Sequence, residues 1–206
     1  MATAYWAGGT STDTNTAANW VDSANGTNPF GSVPGSADDV IIQSTSNSNV
    51  DRDPIQNAAH TFNSIHIESG GHWTADGSNH LTLSGENSNH FAFRNLGTYT
   101  HTNGTVVINN GGSMSHAAVQ AGVATSTTGL YDLTISGGGT TSEIFGDTTI
   151  HRNMEAGGSE TVLRGALTVN GTLTVQGTLN TRYSSTDRNL TVTGNTVVSG
   201  TLTGND

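Results

Sequence analysis

Five histidines, His60, His66, His72, His80 and His90, follow one another at intervals of six to ten residues, and imidazole is a common metal ligand. On strands stacked about 4.8 Å apart, such a series could form a column of nitrogen donors. No pair has the i, i+4 helical spacing of a zinc-protease motif, however, and there is no short His-rich tract. The pattern therefore predicts surface or ladder histidines, and no metal ligand is assigned.

The acidic residues offer two tight clusters, Asp38-Asp39 and Asp51-Arg52-Asp53. Neighbours on a strand face opposite ways, so Asp38 and Asp39 do not make an acid/base pair. Asp51 and Asp53 can share a side, but calcium wants about six to eight oxygen ligands and the sequence has no EF-hand loop or nonapeptide calcium repeat. Arg52 between them predicts a local salt bridge. Glu143, Asp147, Glu155, Arg152 and Arg164 are close enough in sequence to share neighbouring coils, and paired carboxylates are what a polysaccharide hydrolase needs. Nothing in their spacing ties them into a constellation, and aromatic residues for stacking sugars are only 6%. Gly137-Gly138-Gly139-Thr140-Thr141 lacks the Lys and the following helix of a phosphate loop and reads as a corner. No catalytic or cofactor-binding residue is assigned, and the expectation is a protein that is not an enzyme.

The elements that must position these groups are short and recurrent. An apolar, polar, apolar triplet leading to Gly occurs as Ile65-His66-Ile67-Glu68-Ser69-Gly70, Leu81-Thr82-Leu83-Ser84-Gly85, Val107-Ile108-Asn109-Asn110-Gly111 and Leu133-Thr134-Ile135-Ser136-Gly137. Period two puts the apolar pair on one strand face and Thr, His or Glu on the other. Gly then offers the positive φ of a tight corner. Between Gly165 and Leu202 the pattern tightens, with glycines six apart at 165, 171 and 177 and again at 194 and 200. Units this small bury little apolar surface alone and must stack on their neighbours. The fold class predicted is all-β, a parallel β-helix, with the right-handed form favoured because the six-residue pattern lasts only two intervals at a stretch. Residues 38–206 form the solenoid body, in which Leu173 faces inward. Residues 1–37, with Trp6, Trp20, Pro29 and Pro34, read as an irregular N-terminal cap. Met114 to Ala124 is the one helix candidate, ended by Gly122.

Composition narrows the function. The chain has 206 residues, no Cys, 11% charged residues, six cations that are all Arg, and a net charge of −10. Absence of Cys removes disulfides, thiolate zinc sites and cysteine nucleophiles. The acidic balance argues against nucleic acid or anionic membranes as partners. No apolar run approaches the roughly 20 residues that span a bilayer, and residues 2–20 lack the features of a signal peptide, so export by the general route is not expected.

Two segments carry a resemblance. Met1-Ala2-Thr3-Ala4-Tyr5-Trp6-Ala7-Gly8-Gly9-Thr10, Asn19-Trp20 and Ser32-Val33-Pro34-Gly35-Ser36-Ala37-Asp38-Asp39-Val40-Ile41-Ile42 resemble an N-terminal module of tailed-phage virion proteins. Asn189-Leu190-Thr191-Val192-Thr193-Gly194-Asn195-Thr196-Val197-Val198-Ser199-Gly200-Thr201 is similar to the repeats of phage fibre proteins. The resemblance implies a virion component assembled in the host cytoplasm and carried on the outer surface of the particle. The first expectation is a capsid decoration (cement) protein whose partners are the major capsid protein or other virion proteins, with a homotrimer as the assembly that the resemblance implies. The alternatives are a short tail fibre, tailspike or baseplate component binding host glycans, a polysaccharide depolymerase, and a cell-surface adhesin. Trp6 and Trp20 are the candidate interaction residues, the other reading being that both plug the solenoid core.

Overall fold

The computed structural model describes residues 1–47, 49–77, 79–109, 117–121, 128–137 and 141–204. The chain winds into a parallel β-solenoid of about six turns. A ten-stranded sheet runs the length of the stack: Trp20–Val21, Ala2–Trp6, Asp38–Ile42, Ser64–Ile67, Phe91–Asn95, Ala117–Gln120, Thr141–Ile144, Glu160–Leu163, Thr178–Asn180 and Thr201–Thr203. A seven-stranded sheet forms a second side: His60–Phe62, Leu81–Leu83, Thr105–Asn109, Asp132–Ser136, Met154–Ala156, Leu173–Val175 and Thr196–Val198. The third side is split between Ile55–Gln56, His72–Ala75 and Thr98–His101 early in the chain and Thr148–Ile150, Leu167–Val169 and Leu190–Val192 later. Ladder pairing between coils is parallel throughout these three sides, and only Trp20–Val21 joins its sheet antiparallel.

Alternation along each strand decides what fills the interior. Register aligns Phe62, Leu83, Ile108, Ile135, Ala156 and Val175 in one inward column of the seven-stranded side. Beside it run Leu81, Val106, Leu133, Met154 and Leu173. The ten-stranded side contributes Ala4, Val40, Ile65, Phe93, Val119, Ile144 and Leu163. These belong to one continuous core, and the polar residues between them form ladders outside, such as Thr134, Glu155 and Thr174. Each rung thus borrows its hydrophobic contacts from the rungs above and below. Leu173 is fully buried, as its place in the alternation predicts.

Two expectations need correction. Ala2–Trp6, inside the segment expected to be an irregular cap, is itself a rung, pairing in register with Asp38–Ile41. The cap proper is the remainder, a short 3-10 turn at Ala17–Asn19 and the antiparallel strand Trp20–Val21 that closes the free sheet edge. The helix expected over Met114 to Ala124 is replaced at Ala117–Gln120 by a strand held between Phe91–Asn95 and Thr141–Ile144; its remaining residues, apart from Ala121, lie outside the described ones, as do residues 138–140 of the glycine-rich corner. The positive φ expected at the triplet corners holds at Gly70 (φ 78°) and Gly137 (φ 97°), and the late glycines serve another purpose. A Cβ on Gly177 would run into the Gly158 carbonyl, and one on Gly200 into that of Gly177. The corners carry Gly because successive coils approach there backbone to backbone.

Candidate functional site

The N-terminal motif residues form a single interlocked cap. Trp6 and Trp20 are both 0% exposed, their rings edge to face at 4.9 Å, and the aromatic series continues through Phe62 to Trp73. Trp6 donates its indole N–H to the Arg52 carbonyl at 2.6 Å, and Trp20 donates to the Thr14 carbonyl at 3.0 Å. Gly8, at φ 64°, lies against the Arg52 backbone, where no side chain fits. The buried Asn19 side chain accepts from the Thr10 and Ser11 amides (2.9 and 3.0 Å) and donates to the Ser11 hydroxyl and the Asp13 carbonyl (2.9 and 2.8 Å). Asp38 accepts from the Gly35 amide at 2.9 Å. The motif residues therefore hold this part of the solenoid together. Trp6 and Trp20 have no surface to offer a partner, and the interaction role gives way to the plugging role because both rings are needed to fill the end of the core.

The acidic clusters also prove structural. Asp39 accepts from the Asn63 amide group (2.7 Å) and the Ser64 hydroxyl (2.6 Å), a separate environment from that of Asp38. Arg52 does not bridge its two acidic neighbours; its guanidinium donates to the Gly8 carbonyl at 2.8 Å, and Asp53 instead faces His72 at 3.5 Å. Asp147 accepts from the Ala166 amide of the next coil (3.0 Å).

The five spaced histidines do not form a column. His60 lies buried in the seven-stranded side, 2.8 Å from the Thr14 hydroxyl and stacked on Phe62, and burial holds its pKa below the ordinary value against the opposing pull of Asp13. His66 is in the ten-stranded sheet, where burial and then Arg94 lower its pKa. His72 and His90 pair with Asp53 and Glu86, and exposed His80 offers its carbonyl to the His60 amide. Among the described residues no three His, Asp or Glu side chains converge as metal ligands.

Sequence reasoning missed two constellations that the coils assemble from distant residues. At one corner the buried His101 lies 4.6 Å from the His151 ring and 5.1 Å from Tyr131. Arg152 covers Tyr131 and pairs with Asp132 through Nε at 2.9 Å. Burial, then His151, depresses the His101 pKa, with Asp132 opposing. On the ten-stranded side a stripe runs from Arg94 over Phe91 (5.2 Å) to Phe145 (ring centroids 5.4 Å apart), and then to Arg164, whose guanidinium lies 4.6 Å from Phe145 and 3.9 Å from Tyr183. Arg164 also pairs with Glu143, whose side chain is only 9% exposed. Of the five charged residues that share neighbouring coils, only Glu143 and Arg164 meet; Arg152 goes to Asp132, and Glu155 stands in the threonine ladder. A cleft of about 210 Å³ opens between Phe91 and Phe145 above this pair.

Fold and site together define a parallel β-solenoid with a sealed N-terminal end and shallow surface clefts. In comparisons with known proteins, no family model, no curated protein and no solved structure matches the chain.

Proposed function

We propose that this chain is a non-enzymatic structural protein of a tailed-phage particle, and that it serves as a capsid decoration protein on the outer shell. The observation that carries the reading is the N-terminal cap: the residues that resemble the phage module are the ones that interlock there through Trp6, Gly8, Asn19, Trp20 and Asp38. Such a protein acts by mass action, adding the free energy of binding the assembled lattice to the stability of the particle. Because both Trp side chains are internal, the shell contact falls elsewhere. Val197 (52% exposed) places an aliphatic side chain in the outward ladder beside Thr174, and apolar surface of this kind marks protein contacts.

Quantitative mass spectrometry of purified particles that encode the chain tests this. Roughly hundreds of copies, in lattice proportion to the major capsid protein, is the expected result. About a dozen copies would move the protein to the tail, and absence from particles would overturn the reading. Val197→Asp, at an exposed position, is expected to release the protein from shells while leaving its melting temperature unchanged.

A further inference from the structure

The two ends of the stack are finished differently. At the first end Trp20–Val21 covers the ten-stranded sheet, Pro29 bridges to Val21, and the backbone of Thr12 and Thr14 hydrogen-bonds to that of Ile55 over the third side. At the other end Leu190–Val192, Thr196–Val198 and Thr201–Thr203 are each the last strand of their sheet, and among the described residues no strand pairs with their outer edges. Register sets Leu190 and Val192 over the buried Leu167 and Val169, Thr196 and Val198 over the buried Leu173 and Val175, and Leu202 over the buried Leu179. These five therefore occupy core positions. With no rung above them, Val198 is 45% and Leu202 41% exposed.

An open strand edge carries unpaired N–H and C=O groups and invites another strand, and proteins keep such edges single with Lys, Pro or bulges. Residues 189–204 contain no charged residue and no Pro, and their strands pair with the coil below without a register shift. The chain as a whole carries a net charge of −10, so two copies repel over much of their surface but meet here without charge. Head-to-tail addition is blocked by the covered first end, which leaves a two-fold, end-to-end pair in which one surface serves both partners. The sequence suits that symmetry, because outward from Val197 it runs almost alike in both directions: Thr196 and Val198, Gly194 and Gly200, Val192 and Leu202 stand at equal distances. With Thr196–Val198 antiparallel to its own copy, Val192 falls opposite the partner copy's Leu202, so that inward residues meet inward residues. Gly194 then falls opposite the partner copy's Gly200, at corners where stacked coils already bring backbone against backbone. We infer that the last described coil is a self-association surface, which joins two chains end to end and completes one continuous core. The pair forms in the free chain and does not depend on placement in a capsid or a tail.

Sedimentation velocity of the full chain, from about 1 to about 200 µM, tests this. One coil per partner is small for a stable interface, so pairing in the micromolar range is expected, with a species of twice the chain mass dominating at the upper concentrations. Val198→Lys and Leu202→Lys, at positions exposed in the single chain, are each expected to weaken pairing by about tenfold or more while leaving the melting of dilute protein unchanged. Each Lys also reduces the net negative charge, so general repulsion does not account for the loss. Asn15→Lys makes the same charge change at an exposed position of the covered end and is expected to leave pairing intact. A monomer at every concentration, a trimer or a series of larger species overturns the inference, as does equal weakening by Asn15→Lys or pairing that survives both Val198→Lys and Leu202→Lys.

Discussion

The early and late coils solve one packing problem with different means. Early coil partners on the seven-stranded side, from His60 through Leu81 and Val106 to Leu133, stand about 21 to 27 residues apart in sequence. Later partners stand 21, 19 and 23 residues apart, from Leu133 through Met154 and Leu173 to Thr196, so the two halves overlap in coil length and differ in what fills them. The early coils are filled by rings, with Trp6, Trp20, Phe62, Trp73, Phe93 and Tyr99 all fully or almost fully buried. The late coils are filled by aliphatics, as in Leu167, Val169, Leu173, Val175 and Leu179. Both reach close packing, and in both the corner backbones approach so closely that glycine is required, at Gly71 and Gly97 early and at Gly177 and Gly200 late. Side-chain type separates the two halves of the stack, and corner clearance is common to both.

The sharpest way to break this comparison is to charge the aliphatic core. Leu173→Asp places a carboxylate where Met154 and Thr196 stand on the neighbouring rungs, with no cation to pair it. The expected loss is about 5 kcal/mol or more, combining lost burial with an unpaired buried charge. The late coils should melt well below the early ones, read by circular dichroism and by protease cutting confined to them. An unchanged melting curve would show that Leu173 does not face inward. In the aromatic half, Trp73→Ala is expected to cost about 3–5 kcal/mol, because it empties the ring contact with Phe62 and strands the buried Gln56 oxygen that accepts from the indole at 3.3 Å. Its effect should fall on the early coils, the reverse of Leu173→Asp. If both variants unfold the whole chain in one step, the stack is a single cooperative unit and the two halves are not separable.

Much of this division could be read from sequence, because strands and register follow the period-two alternation. The triplets at Ile65, Leu81 and Leu133 lie in strands at the expected faces, since burial of alternate residues leaves no other register. The helix expected around Ala117 failed because local propensity is weak: Ala118 and Val119 instead complete the ladder between Phe91–Phe93 and Glu143–Ile144. The positive φ at Gly70 and Gly137 is legible in the sequence, but the close approach at the late glycines is not, because backbone proximity depends on the next coil and leaves no mark on the residue itself. For the same reason the cleft was invisible. Phe91, Phe145 and Tyr183 are brought into one stripe by coils of unequal length, so no fixed spacing announces them. Glu143 and Arg164 stood out as charges, but their pairing depends on the offset between two coils.

Corner clearance can be sharpened by two matched changes. Gly177→Ala is expected to lose about 2 kcal/mol, because the new methyl meets the Gly158 carbonyl and neither backbone can yield without shifting its coil. Gly9→Ala, which meets nothing within 4 Å and needs no positive φ, should stay within about 0.5 kcal/mol of the parent. Equal effects in the two would mean that backbone entropy, not clearance, explains glycine at the corners.

The smallest expected effect lies in the aromatic half and appears on acidification. His60, His66 and His101 all have pKa values lowered by burial, with Arg94 reinforcing this at His66 and His151 at His101, while Asp13 and Asp132 oppose it at His60 and His101. In the window below the ordinary histidine value of about 6.5, the unfolded chain therefore binds more protons than the folded one, and stability falls as pH falls. Glu68, its pKa raised by burial, acts oppositely but only in the carboxylate range. Melting temperature is thus expected to decline from about pH 7.5 to about pH 5.5, and to decline less in His101→Leu, since both imidazole nitrogens of His101 lack hydrogen-bond partners and a leucine strands none. The late coils of the ten- and seven-stranded sides carry no histidine, so protease cutting induced by acid should begin among the early coils. Cutting that begins instead around Leu173 would show that the aliphatic half, not the aromatic one, sets the acid limit of the stack.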